Sequence, residues 1–183
     1  GDIHSKNAEY FGINRDLAKT IFYGLIYGSQ VAKVRQILKC SQKKAKEVCD
    51  GFWHHNMALG KLRDRCIRLH TDRGFLPGLD NRRIYTRSGH SSLNALFQSG
   101  GAIIMANTIV LKHNSMQQRS WGSMPRQVVY YHDEGIDDYI IEEDKEQLTE
   151  IIQTSIKEAG ERLKVRVPLT ADVNYGTNWA EIH

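Results

Sequence analysis

The chain has 183 residues, enough for one domain or two small lobes, and 40% hydrophobic with 25% charged residues is the balance of a folded globular protein. No unbroken apolar run approaches the roughly 20 residues that span a bilayer, and the first residues, GDIHSKNAEYFG, are polar, unlike a secretory leader. Net charge is +4 with a pI of about 8.9, compatible with an anionic partner, and Cys40, Cys49 and Cys66 lack metal spacing and cannot all pair, which points to reduced thiols in a cytoplasmic setting.

Residues 13–72 carry many Lys, Arg, Ala and Leu and no proline, so they read as mainly helical. RDLAKTIFYGLIYG, residues 15–28, is an amphipathic helix, and SQKKAKEVCDGFWHHNMALGKLRDRCIRLH is one or two helices with Ser41 as N-cap. GFLPGLDNRRIYTRSG holds turn residues Pro77, Gly78, Asp80 and Asn81 between short runs and predicts a hairpin. SSLNALFQSGGAIIMANTIVLKHNSM predicts a long helix despite Gly100 and Gly101. QVVYYHDEGIDDYIIEE predicts two strands around a tight polar turn, DKEQLTEIIQTSIKEAGERL a helix capped by Asp144, and VRVPLTADVNYGTNW a strand and a tail. The fold class is therefore α+β, with a helical lobe over residues 1–74 and an α+β lobe over 75–183.

On a helical wheel, Leu17, Ala18, Ile21, Phe22, Leu25 and Ile26 share one half of the helix at 15–28. Arg15, Lys19, Tyr23 and Tyr27 form a stripe on the other half, rising about 18 Å. Two cations suit a polyanion such as a triphosphate, and an aromatic face suits stacking by a ring. Gly24 and Gly28 cost about 1 kcal/mol each in a helix relative to Ala, and they open room for a close approach to the backbone. An ordinary amphipathic helix with a solvated face has the same periodicity.

At YYHDEG, residues 130–135, a carboxylate at a tight turn between strands is held rigidly and left exposed. That suits a hard cation such as Mg²⁺, although acidic hairpin turns are common. Asn94 and Gln98 lie four apart and share a helix face.

RDLAKTIFYGLIYG resembles motif B, the O-helix, of family A DNA polymerases: Arg, three residues, Lys, three residues, aromatic-Gly, two residues, Tyr-Gly. The resemblance extends in collinear order through GDIHSKNA, LDNRRIYTRSGHSSLNALFQSGGAII, YYHDEG (motif C) and the closing NYGTNWAEIH, which suggests that His183 is the natural end of the chain. It implies helical fingers plus part of an antiparallel-sheet palm, and a two-metal nucleotidyl transfer from dNTP to a primer 3′-hydroxyl. His4, Arg15, Lys19, Tyr23 and Tyr27 would hold the dNTP, with Lys19 also a candidate general acid. Asp133 would bind catalytic Mg²⁺, Glu134 would be an auxiliary carboxylate, and His132 would support the primer end. Asn94 and Gln98 would face the minor groove, with Arg82, Arg83 and Arg87 on phosphates or the helix backbone. Tyr23 is typical of the phage replicative branch and implies weak discrimination against nucleotides lacking a 3′-hydroxyl. Tyr131 stands where an aliphatic residue is more usual.

The resemblance also implies a second metal-binding aspartate, in motif A, and none of the acidic residues here is a candidate for it. The chain is expected to be inactive alone and to work with a polypeptide carrying motif A and the thumb. Primer-template DNA and dNTP are its expected substrates, an exonuclease and a processivity factor are candidate partners, and no membrane is expected. The competing reading is a non-catalytic nucleic-acid-binding or assembly module that keeps the polymerase shape.

Overall fold

The structure is a computed structural model that describes residues 2–138 and 142–182. The expectations for His183, and for the far end of the second strand at 139–141, lie outside these residues. Two compact units are present, Gly1–Gln98 and Ser99–His183.

In the first unit, α1 (Ile3–Phe11) begins at Asp2, whose carboxylate accepts the backbone N–H of His4 and Ser5. Hydropathy carries no amphipathic signal for this helix, because two of the residues it buries, His4 and Asn7, are polar. α2 (Arg15–Ile26) starts where Asn14 accepts the N–H of Leu17 at 2.8 Å, and it buries Ala18, Ile21, Leu25 and Ile26. α3 (Val31–Leu38) is followed by α4 (Gln42–His55), capped by Ser41 as expected. α5 (Met57–Arg73) is a separate helix: at Asn56 the backbone leaves helical geometry, and the Asn56 amide donates to the Phe52 carbonyl at 2.9 Å.

The core of this unit gathers around Phe52, Ile21 and Val34, all fully buried, with the rings of Phe11, Phe22 and Trp53 packed on Phe52. A second cluster of Cys66, Leu76 and Leu93 joins α5 to the expected hairpin, β1 (Phe75–Pro77) with β2 (Arg83–Tyr85), paired antiparallel with Leu76 opposite Ile84. The three cysteines are free thiols, and burial pushes those of Cys49 and Cys66 up from their ordinary range.

A 3-10 turn, Gly89–Ser91, leads into α6 (Ser92–Gln117), the long helix expected across Gly100 and Gly101. With its leading turn (Gly89–Gln117) it is long and apolar enough to cross a bilayer by length and composition, with a mean hydropathy of 1.3 over its best window. A search for unbroken apolar runs misses this, because polar residues interrupt the run. Those residues are accommodated locally: Asn107 and Thr108 donate back to the carbonyls of Ile103 and Ile104.

In the second unit, β3 (Arg126–Tyr131) and β4 (Glu134–Asp138) form the expected antiparallel hairpin, with Tyr131 opposite Glu134 and an irregularity between Gln127 and Val129. α7 (Lys145–Arg162) buries Leu148, Ile151, Ser155 and Ala159. Asp144 stands at its N-cap position but makes no capping bond, because a 3-10 turn over Glu142–Asp144 runs straight into the helix and leaves Asp144 in helical backbone. Met116, Leu148 and Ile151 form the core here, flanked by Trp121, Met124 and Tyr175.

The strand expected in VRVPLTADVNYGTNW is not formed among the described residues, and the segment runs as irregular chain into α8 (Trp179–Ile182). Its backbone is tied to α7 instead: Val165 N–H donates to the Gly160 carbonyl at 2.9 Å, and the Ala171 carbonyl accepts from Gln153. Leu169 packs directly on Gly160.

Candidate functional site

α2 presents the stripe that the periodicity requires. Arg15, Lys19, Tyr23 and Tyr27 are all exposed, opposite a buried face. The Tyr23 and Tyr27 rings lie 6.0 Å apart. Arg15 is held from behind: its Nε donates to Asp2 Oδ2 at 2.7 Å. That bond, with one from the Ser5 hydroxyl, holds the Asp2 carboxyl well below the usual carboxylate range, and Asp2 in turn raises the Arg15 pKa. Lys19 has no ion-pair partner among the described residues. His4 is buried under the same helix, 5.2 Å from Phe22 and 5.5 Å from Tyr23, ring to ring, and its Nδ1 has no hydrogen-bond partner. Five of the residues singled out in the sequence thus lie on α1, on α2 and at the C-cap of α2, Tyr27.

The two glycines of this stretch have internal explanations. A Cβ on Gly28 would lie 2.5 Å from the His90 carbonyl oxygen, and Gly28 has φ +90°, in the region that favours glycine. Gly24 faces the Ser29 side chain, and its carbonyl accepts the Ser29 N–H at 2.8 Å. Close approach is real at both positions, but the approaching group is this chain itself. By contrast, a Cβ on Gly100 or Gly101 would meet nothing within 4 Å, so the chain's own packing does not require the pair that follows Gln98.

On α6, Asn94 is half-buried with an unpartnered Oδ1, and Gln98 is exposed one turn later. In the β1–β2 hairpin the guanidinium of Arg82 is occupied by Asp80, with contacts of 2.6–2.9 Å, and Arg83 lies over the Phe75 ring at 4.9 Å. Arg87 is exposed.

In the second unit, His132 and Asp133 form the two-residue tip of the β3–β4 hairpin. His132 has φ +53°, the left-handed backbone that two-residue hairpin loops demand at their first position. Asp133 is exposed, Glu134 is half-buried, and the His132 ring packs against Tyr131 at 4.3 Å. Asp133 and Glu134 border a cavity of about 750 Å³, walled by Ile152 and Ile156 of α7 and by the chain around Tyr175 and Trp179. An exposed carboxylate at a hairpin tip suits a hard divalent cation. No group of three or more His, Cys, Asp or Glu side chains able to hold a metal is gathered among the described residues.

The same cavity exposes a feature that sequence reading missed: Lys112 of α6 and Asp137 of β4 form a buried ion pair at 2.6 Å. Its one sequence signal is a lysine closing the apolar run AIIMANTIVLK.

The chain is 29% identical to the DNA-directed DNA polymerase of Enterobacteria phage T3, covering 100% of this chain and 29% of that protein. It is 31% identical to the DNA-directed DNA polymerase of Escherichia phage Phieco32, covering 100% of this chain and 30% of that one. The chain thus spans under a third of the length of these relatives. Among solved structures, the POL domain of Pol1 from M. smegmatis, in complex with DNA primer-template and dNTP, has the same fold over 86% of this chain and 31% of that one, with a TM-score of 0.76 at 21% identity. A family model described as DNA polymerase family A matches residues 1–181, and the chain belongs to that family.

Proposed function

We propose that this chain is the distal catalytic part of a template-directed DNA polymerase, with residues 1–74 acting as fingers and 75–183 as the second part of the palm. The observation that carries the reading is the exposed ridge of two cations and two tyrosines on α2, opposite a face sealed into the core.

Arg15 and Lys19 bind the β- and γ-phosphates of the incoming dNTP. Asp2 orients Arg15 through Nε and leaves its two terminal nitrogens for the anion. Lys19 neutralises charge as pyrophosphate departs and is the candidate general acid that protonates it. His4 holds a polar nitrogen without a partner beside Tyr23, and Tyr23 and Tyr27 shape the pocket around the nascent pair. Gln98 and Asn94 meet the minor groove, where acceptors are similarly placed in every pair, and the bare backbone at Gly100 and Gly101 gives it room. Arg83 and Arg87 meet backbone phosphates, and Arg82 joins them by exchanging Asp80 for phosphate. His132 supports the primer terminus.

Asp133, with Glu134 beside it, would hold Mg²⁺ together with a carboxylate from a polypeptide carrying motif A and the thumb. When bound, two such ions activate the primer oxygen and stabilise the leaving oxygen. The cytoplasm is the compartment proposed for this work.

Primer extension tests the reading. The chain alone is expected not to extend a primer, the chain mixed with the motif A polypeptide to extend it, and Asp133→Ala to abolish extension by the mixture. Extension by the unmixed chain, or undiminished extension with Asp133→Ala, would overturn it. A non-catalytic assembly module that keeps the polymerase shape is the competing reading. It predicts nucleic-acid binding that is indifferent to Asp133→Ala.

A further inference from the structure

Lys112 is a cation taken out of water: its side chain keeps 9% exposure, and that of Asp137 keeps 7%. An ammonium has three N–H donors, and three oxygens meet them here. Asp137 Oδ1 and Oδ2 lie at 2.6 and 2.7 Å, and Gln127 Oε1 lies at 3.1 Å. Gln127 and Asp137 are opposite each other across β3 and β4, so the ammonium reaches from α6 to both strands at one rung of the ladder.

One step nearer the tip the register shifts. Gln127 pairs with Asp137, but Val129 pairs with Ile136, so β3 carries an extra residue, Val128, which is 59% exposed. A bulge of this kind bends a hairpin, increases its twist and re-aims what lies beyond it. The same two-residue turn is compatible with a straight ladder in which Val128 faces Asp137. In that ladder Val128 and Asp137 would share one face of the hairpin, whereas here Val128 is exposed and Asp137 is buried. A buried ion pair is weak as a source of stability, and apolar replacements of similar size are often as good, which leaves the choice of one arrangement over another as its best-supported role.

We infer that Lys112 is a positioning residue for Asp133. By holding Gln127 and Asp137 opposite each other, it imposes the bulge at Val128 and so sets the direction in which the hairpin tip points. The part that concerns metal binding rests on the reading of Asp133 given above.

The decisive variant is Lys112→Met with Asp137→Leu, which removes both charges and keeps an apolar filling, so its melting temperature should match or exceed that of the parent. Cross-strand Hα–Hα contacts in NMR spectra of the 183-residue chain should move from Gln127–Asp137 in the parent to 128–137 in the variant. In the mixture with the motif A polypeptide, the Mg²⁺ concentration for half-maximal extension should rise about tenfold or more, with the dNTP KM unchanged. Lys112→Arg should retain the parent register. Should the double variant not fold, a second apolar pairing that also removes both charges, Lys112→Leu with Asp137→Val, answers the same question.

A variant that keeps the 127–137 contact overturns the clamp. A switched register with unaltered Mg²⁺ dependence overturns the positioning of Asp133. If Asp133→Ala itself leaves extension untouched, it is the reading of Asp133 that fails, and the NMR register still decides the clamp.

Discussion

Asp2 receives the Nε–H of Arg15 at 2.7 Å, so the cap of α1 and the first residue of α2 are joined by one charged hydrogen bond. The pair has a pH signature. The Asp2 carboxyl is depressed below its ordinary value of 3.8, chiefly by the Arg15 bond and then by the Ser5 hydroxyl. A depressed carboxylate contributes stability above its unfolded pKa and loses that contribution as pH falls through the folded value. In an NMR titration Asp2 should therefore start to protonate only below pH 3.8, and Arg15→Gln should move the midpoint back up toward that value. A midpoint unmoved by Arg15→Gln would mean that the bond does not form in solution.

Lys19 is exposed and makes no ion pair among the described residues, so Lys19→Ala should change stability by no more than about 0.5 kcal/mol. In the mixture with the motif A polypeptide, the same substitution should raise the dNTP KM and lower the extension rate. Steady-state kinetics identical to the parent would remove Lys19 from the nucleotide site.

Gly28→Ala meets two obstacles: a left-handed backbone, and the His90 carbonyl 2.5 Å from the new Cβ. A cost of about 1–3 kcal/mol is expected from the backbone conformation, with the contact adding to it. Gly100→Ala meets nothing within 4 Å and lies inside a helix, so it should leave the chain as stable or more so. Urea denaturation of the two variants side by side checks both expectations.

Phe52 is fully buried at the centre of the first unit and touches three other aromatic rings. Phe52→Ala should lose about 3–5 kcal/mol. Thermal unfolding followed by circular dichroism checks it.

What the sequence made legible was periodic or local. The stripe on α2 follows from spacing alone, and the β3–β4 hairpin follows from a polar turn between apolar runs. Ser41 could be read as a cap because the residue that accepts the bond and the one that donates it are three apart. Other features depended on residues far away in the chain. Gly28 is explained by His90, and the missing strand after α7 by anchoring bonds to Gly160 and Gln153. α1 escaped because burial of His4 and Asn7 leaves no hydropathy signal. Lys112 and Asp137 lie 25 residues apart, and nothing near either one announces the other.

The backbone of His132 restricts which residues can occupy that position at all. Left-handed geometry at φ +53° is open to Gly, Asn, Asp and His and strained for β-branched side chains. A saturation library at codon 132, sorted for folded protein before any catalytic assay, should therefore lose Val, Ile and Thr while retaining Gly and Asn. Variants that fold yet fail to extend primers would then report on the imidazole itself, separately from the turn that carries it.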